Sequence, residues 1–445
     1  VTSVNRALDQ PYLEDFMVRN AFTAGIDFTQ YFKNRLYYID VKGMLSSLHG
    51  SAGAITALQN SVAHYYQRAS SADYLGVDPT RRSLTGTGGY VKVGRKGNAK
   101  WNFSETFTWS SPGFDLNDMG YMKETDYLMN ETEIMYRQTD IWKIFRYNAF
   151  TLSQKNMWNY GGTPFSNNAS LRWQSMTMNR YEWDVKETFA WNWLDSRLLR
   201  GGPDVRFGSY FLTSAKFNTD KAKRMMFMLK YEGDHNFEGN RFNTISPSLT
   251  FRLGNHVYLS GQLDYAWNTD EMQYVATTSP LSSSSLAPYY YVMGHMDQKT
   301  YGLTLKLQVN VTPDISIQFY GAPFTSIAKY DDFKLAADTK SHTFENRFQR
   351  IDPDQLTYAD GVYTIGEGAG QMPFRNPDFR FNEFRSNLVA RWEYLPGSTL
   401  YFVWEHRMSN RDNWYSSGWG SNLDRMWGLP ATNTFMIKMN YWFNL

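Results

Sequence analysis

The sequence predicts a large antiparallel transmembrane β-barrel. Three observations lead there: long runs of period-two alternation, an excess of aromatic residues, and the lack of any long apolar run. The 445 residues include 30 Phe, 31 Tyr and 15 Trp, so aromatics make up 17% of the chain. No stretch approaches the roughly 18 apolar residues that a membrane helix needs. A barrel strand instead shows one face to lipid and one to water, which yields alternation without a greasy block.

The alternation is explicit from Tyr301 onward. Tyr301, Leu303, Leu305, Leu307, Val309 and Val311 are separated by Gly302, Thr304, Lys306, Gln308 and Asn310. Thr312-Pro313-Asp314 then turns the chain, and Ile315, Ile317 and Phe319 resume the apolar face. Phe22, Ala24, Ile26 and Phe28 alternate with Thr23, Gly25, Asp27 and Thr29. The same pattern recurs around Trp101–Trp109, Tyr181–Trp191, Val257–Trp267 and Phe384–Tyr394, and the chain ends on Phe435, Ile437, Met439, Tyr441, Phe443 and Leu445. Counting such runs gives about eighteen strands, many roughly 12–15 residues long, by their periodicity. Membrane strands need roughly 9–11 residues, so these can span and project further.

Connections alternate too. Short turns fall at Lys33-Asn34, Gly97-Asn98, Asn179, 219–222, Asn255, Pro313 and Pro396-Gly397, and long loops at 47–82, 111–122, 194–204, 269–297, 331–382 and 409–433. Short turns on one side and long loops on the other mark an outer-membrane barrel, with periplasmic turns and extracellular loops. Ser51 is placed to cap a helical stretch carrying Ile55, Leu58, Val62 and Tyr65 within the first long loop.

Composition excludes several functions. Cysteine is absent, which removes disulfides, thiolate metal sites and cysteine nucleophiles. Lys+Arg 45 against Asp+Glu 43 leaves a net charge of +2, too weak a field to gather nucleic acid. The 7 histidines form no His-x-x-x-His pair, and no Gly-x-Ser-x-Gly elbow or phosphate loop is present. No enzyme is expected, and a phospholipase cluster around His256 or His406 has no supporting motif. Asp331, Asp332, Asp352, Asp354, Asp360, Glu367 and Asp378 make the 331–382 loop rich in the oxygen ligands that Ca²⁺ takes, but their spacing matches no EF-hand. No cofactor is expected.

Asp27, Asp40, Lys42, Lys306, Arg385 and Arg391 fall on polar positions and are the lumen-facing candidates. Glu105 and Glu187 instead interrupt apolar positions near mid-strand, where a carboxylate facing lipid is costly. Either a bulge or a misread register explains them, or a partner protein or a missing part of the chain covers that face. The 123–160 strands are polar on both sides, with Glu131, Glu133, Gln154, Lys155 and Asn156. Trp414, Tyr415, Trp419 and Trp427 sit in one loop beside Asn413, Asn422 and Asp424, and Tyr289, Tyr290 and Tyr291 in another. Aromatic faces beside amides and carboxylates suit sugars, although a rim girdle or loop-against-loop packing is the plainer reading. Tyr441, Phe443 and Leu445 are the expected barrel-insertion signal.

Several longer stretches carry a family resemblance. They are Asn387–Thr399 (NLVARWEYLPGST), Asp73–Asp78 (DYLGVD), Ser111–Asp118 (SPGFDLND), Leu199–Pro203 (LRGGP), Asn376–Phe379 (NPDF) and the terminal Lys438–Leu445 (KMNYWFNL). Together they resemble large Bacteroidetes outer-membrane proteins in which a family 9 carbohydrate-binding domain precedes a barrel region of unknown function. The resemblance implies a Gram-negative outer-membrane location. It also implies that an N-terminal part of that architecture lies outside this chain, consistent with the lack of a signal peptide at Val1–Arg6. It supplies no catalytic residues.

Residues 1–445 are thus read as one transmembrane β-barrel domain. Its expected surroundings are outer-membrane lipid and lipopolysaccharide, the barrel assembly machinery, other outer-membrane proteins or lipoproteins, and saccharides, with no nucleic acid. A porin-like or gated channel for saccharides or other nutrients ranks slightly above a non-transporting subunit or scaffold of a larger complex.

Overall fold

The computed structural model describes residues 1–68, 74–191, 193–254, 256–281, 288–413 and 419–443. Strands take up 63% of the chain and helices 7%. The first strands are β1 Thr2–Asn5, β2 Asn20–Phe32, β3 Tyr37–His49, β4 Ser83–Arg95 and β5 Trp101–Ser110. β6 Tyr127–Gln138, β7 Phe145–Trp158, β8 Pro164–Thr177 and β9 Glu182–Trp191 follow. A small hairpin, β10 Trp193–Asp195 and β11 Val205–Phe207, precedes β12 Tyr210–Asn218, β13 Met225–Asn236 and β14 Arg241–Leu253. Then come three tall strands, β15 Val257–Thr278, β16 Tyr290–Asn310 and β17 Ile315–Ala336. β18 Phe348–Arg350 adds to the end of β17, and β19 Leu356–Ala359, β20 Val362–Ile365 and β21 Met372–Arg375 form a separate small sheet. β22 Phe379–Leu395, β23 Ser398–Asp412 and β24 Thr432–Asn440 complete the wall.

The wall is one 19-stranded sheet in which successive strands pair antiparallel, with β9 bonding β12 and β17 bonding β22 across the inserted loop elements. Without the short β1 and β18, 17 long strands remain. β2 and β24 therefore run in the same direction. Among the described residues β24 pairs only with β23, and β1 covers only Asn20–Thr23 on the other edge of β2. β1 runs opposite to both strands that flank this seam.

Register fixes which residues share a face. Thr23, Asp27 and Thr29 of β2 stand opposite Ser46, Lys42 and Asp40 of β3, and Lys42 stands opposite Tyr90 of β4. The other face carries cross-strand aromatic pairs: Trp101 with Tyr136, Trp183 with Phe217 and Tyr265 with Tyr301, at ring separations of 4.9, 4.5 and 5.0 Å. Such pairs stabilise a sheet by a few tenths of a kcal/mol to about 1 kcal/mol each.

The long loops fold back onto the polar face near the strand ends. A short helix, α1 (Pro11–Phe16), precedes β2, and α2 (Ala52–Gln59) is capped by Ser51, whose Oγ accepts from the Ala54 N–H at 3.0 Å. Its Ile55 is fully buried with Ala21, Leu48 and Leu84 from β2, β3 and β4. The helix stops before Val62 and Tyr65, and Tyr65 adopts φ +55°. The expected helical period therefore holds for Ile55 and Leu58 only. The 111–118 segment lies on β4, where Gly86 and Gly88 leave room for the backbone and ring of Phe114.

The structure corrects several loop boundaries. β15–β17 extend well beyond the expected strand ends, so the loops shrink to 279–289 and 337–378. The extensions were hidden because loop residues cover them: Val292, Met296, Tyr330 and Phe333 pack with Ile365 and Phe374. Covering the polar face with protein removes the alternation that marks a half-solvated strand. Tyr290 and Tyr291 accordingly belong to β16, and only Tyr289 precedes it. β24 ends at Asn440 instead of running to Leu445. There the Trp442 N–H donates to Ser398 Oγ at 3.0 Å, turning the chain toward the Pro396-Gly397 turn.

Gly86→Ala should displace the 111–118 segment, because a Cβ there collides with the Phe114 backbone. Limited proteolysis should cut that loop faster while the barrel strands stay protected; unchanged cleavage would refute this packing.

Candidate functional site: the polar wall and its loop-covered end

The polar face of β2–β4 carries a compact charge cluster. Lys42 Nζ lies 3.1 Å from Asp27, and Asp40 accepts from Thr29 Oγ1 at 2.9 Å and from the Tyr90 hydroxyl at 3.0 Å. Farther round, Glu383 holds Arg385 at 2.8 Å and Arg407 at 3.0 Å, and Arg391 pairs with Glu393. Lys306 stands between Ser260 and Tyr320 in the register. The six charges named from sequence thus occupy polar-face positions. Asp27 with Lys42 and Glu383 with Arg407 join opposite signs across neighbouring strands, Arg391 pairs with Glu393 along β22, and Lys306 is separate from these.

Glu105 and Glu187 sit on the opposite, aromatic face, with no register shift in their strand pairings. A bulge is therefore not the reason for them. Glu105 accepts from Asn130 and, at 2.6 Å, from Thr132 Oγ1; Glu187 accepts from Thr213 Oγ1 at 2.7 Å. Asn130 and Asn156, then Asn156 and Asn167, pair directly across β6–β8 and extend this polar strip.

Among the loop aromatics, Trp414 and Tyr415 lie outside the described residues, as do Asn255 and Leu445. Trp419 opens and Trp427 closes α3 (Trp419–Trp427), and the Trp427 ring meets Phe384 edge-on at 4.8 Å. Asn422 of that helix is buried against Arg380. Tyr441 and Phe443 are exposed beyond β24 with their rings 4.7 Å apart. The acidic residues of the 331–382 region are dispersed. Asp332 faces Lys334 and Arg350, Asp378 accepts from the Tyr330 N–H, and no acidic or histidine cluster among the described residues could hold a metal.

Buried ion pairs and hydrogen bonds tie the loops together, and no local pattern signals them because their partners lie far apart in the chain. Arg347 is 1% exposed and grips Glu238 through two bonds of 2.8 and 2.9 Å. Glu238 also accepts from the Gly208 N–H at 2.8 Å, so one guanidinium joins the β13–β14 turn, the segment after β11 and the loop before β18. His64 is fully buried, with Nε2 2.9 Å from Asp115 and Nδ1 2.9 Å from the Pro112 carbonyl. Arg68 pairs with Asp126 at 2.6 Å, and Asp126 also accepts from Tyr74. His295 of β16 lies 3.0 Å from Glu271 and 3.5 Å from Asp297. Burial alone would lower its pKa, but the two carboxylates outweigh that and raise it above 6.5.

A family model described as a domain of unknown function, DUF5916, matches residues 49–445. The chain belongs to the DUF5916 family. No curated protein matches it. Among solved structures it is similar to the siderophore receptor PirA from Acinetobacter baumannii, with 9% identity over 94% of this chain and 70% of that one and a TM-score of 0.39. It is likewise similar to the ferric enterobactin receptor PfeA from Pseudomonas aeruginosa, with 8% identity over 94% and 69% and a TM-score of 0.40. The barrel assignment for this DUF5916 chain rests on its own strand pairing and two-faced wall.

Arg347→Ala leaves Glu238 unpaired in a buried setting, and loss of one partner of such a pair costs about 3–5 kcal/mol. Hydrogen exchange should show the 205–208, 237–240 and 341–350 backbones opening together; protection equal to wild type would refute the clamp. His295 adds a pH term. Its folded pKa is raised, so its stabilisation is complete below the ordinary value and fades as pH rises through the folded value. The loop assembly should therefore melt lower at about pH 8 than at about pH 6, and His295→Gln should flatten the difference. An undiminished difference in the variant would exclude His295 as its source.

Proposed function

We propose that this chain is an outer-membrane β-barrel of a Gram-negative bacterium that passes hydrophilic solutes, saccharides or other nutrients, under a covering of its own loops. The observation that carries the reading is the sorting of the two wall faces along paired strands. Polar residues such as Asp27, Lys42, Lys306 and Arg385 share one face, while Phe22, Ile26, Trp101 and Leu305 share the other. A lipid-exposed wall needs its backbone groups paired within the sheet, and this sheet pairs its strands one after another from β2 to β24, with β1 on part of the β2 edge at the seam between them. A lumen lined by charges of both signs suits small polar solutes better than a strongly charged one. The resemblance to Bacteroidetes outer-membrane proteins supports the same location.

A second reading has its own observation. The strip of Glu105, Asn130, Thr132 and Asn156 on the aromatic face is what a membrane-embedded partner would cover, in a subunit of a larger assembly.

Purification in mild detergent followed by planar-bilayer recording separates the two. The channel reading expects stepwise conductance from the isolated chain, and substitution of Asp27 and Lys42 together should alter ion selectivity. A silent barrel that arrives with stoichiometric partners would replace it with the subunit reading.

A further inference from the structure

The β10–β11 hairpin roofs a cleft of about 450 Å³ on the polar face of β12–β15. That size falls within the usual range of ligand pockets. Four rings line it: Trp193 and Phe207 from the hairpin, Tyr210 from β12 and Phe242 from β14. Trp193 meets Tyr210 edge-on at 5.7 Å. Register places Tyr210, Asp234, Phe242 and Asn268 on one face: Tyr210 pairs with Asn236, Asp234 with Phe242, and Phe242 with Asn268. That is the face of Glu232, Lys230 and Asp264, hence the lumen side.

The polar groups between the rings come in two kinds. Asp195, Asp234 and Asp270 supply carboxylates. One oxygen of Asp195 accepts from the Arg197 and Leu198 N–H groups and one of Asp270 from the Met272 N–H, so each keeps a second oxygen. Asn236, Asn240 and Asn268 supply amides. The Asn236 carbonyl accepts from the Glu238 and Asn240 N–H groups, and the Asn240 carbonyl from the Glu271 N–H. With their carbonyl ends held, both side chains present an NH₂ donor. Among the described residues the cleft thus offers carboxyl acceptors and neutral amide donors side by side, between four rings and without a lysine or arginine.

That combination selects a ligand class. An anion finds no lysine or arginine in this lining, only carboxyl groups and amides. An organic cation would use the carboxylates and rings but leave the amide donors unmatched, and unmatched polar groups cost affinity. A hydroxyl both donates and accepts, so it satisfies carboxylate and amide together. Sugar rings combine hydroxyl edges with apolar C–H faces that lie against aromatic rings. The cleft also continues. A second hollow of about 340 Å³ shares Leu212, Asp234 and Phe242 with it and runs down the wall past Thr188, Ser214, Lys186 and Glu232. Its length favours a chain of sugar units over a single one.

We propose that the lumen-side trough of Trp193, Tyr210, Asp234, Phe242 and Asn268 binds a neutral oligosaccharide at the loop-covered end of the barrel. The Arg347–Glu238 pair acts as a positioning device, because it fixes the turn that carries Asn236 and Asn240. The proposal rests on the channel reading for its role in uptake, but the binding itself is independent of conductance.

The test uses the full chain in detergent with maltohexaose, laminarihexaose, xylohexaose and mannohexaose as probes, read by calorimetry and tryptophan fluorescence. At least one should bind, its monosaccharide more weakly, with Trp193→Ala weakening binding about 10-fold or more, as loss of an interface anchor does. Asn268→Ala, a milder change, should weaken it several-fold and guards against a Trp193 variant that misfolds. No binding up to about 10 mM, a Kd weaker than any useful site, would overturn the proposal. So would binding unaffected by both variants. Binding without conductance would leave this site standing and remove the channel; conductance without binding would do the reverse.

Discussion

The structure depends on the backbone hydrogen-bond ladder. A strand in lipid has no water to satisfy its N–H and C=O groups, so each must find a neighbouring strand. Here the neighbour is almost always the next strand in the chain, through turns as short as Lys33-Asn34. Once that pairing is fixed, the period of two does the rest. Every residue on one face of β2 is matched by residues of one face of β3, and so on to β24 apart from local register shifts in β7–β8, β15–β17 and β22–β23. The departures then become meaningful. Glu105 and Glu187 lie in register on the aromatic face and take hydrogen bonds from adjacent strands, which is how a polar group survives where hydration is poor.

The loop-covered end follows another logic. Here the wall strands continue past the length a membrane needs, most of all β15–β17, and loops pack against them as in a soluble protein. Apolar residues such as Met272, Met293 and Phe348 form a core, and buried polar groups are paired: Arg347 with Glu238, Arg68 with Asp126, and the His64 ring with the Asp115 carboxyl by a hydrogen bond. Breaking one partner of such a pair is costly, so the loops are held as an assembly in which a few charges set the geometry. The trough under the β10–β11 hairpin exists because this assembly presses an aromatic hairpin against the inner wall.

Much of the wall was legible in the sequence. The alternations at Phe22–Thr29, Trp101–Trp109 and Tyr301–Val311 became β2, β5 and β16 because a half-solvated strand must alternate, and short turns marked their ends. Ser51 was legible as a helix cap for the same local reason. The upper parts of β15–β17 were not, since burial on both faces erases the period, and Tyr290 and Tyr291 read as loop residues. The end of β24 was missed for the opposite reason: Tyr441 and Phe443 keep the alternation, but Trp442 has left the ladder for Ser398.

Sequence by itself determined the class of fold, the two faces of the wall and which charges share the polar one, because these follow from local periodicity and the pairing of adjacent strands. Tertiary structure alone decided what those faces enclose. Trp193, Asp234, Phe242 and Asn268 come from four strands and meet only through the register of β12–β15 and a hairpin folded over them. Arg347 reaches Glu238 across 109 positions of sequence. No local pattern encodes such meetings, because they are set by the curvature of the whole sheet and by which loop reaches which part of it.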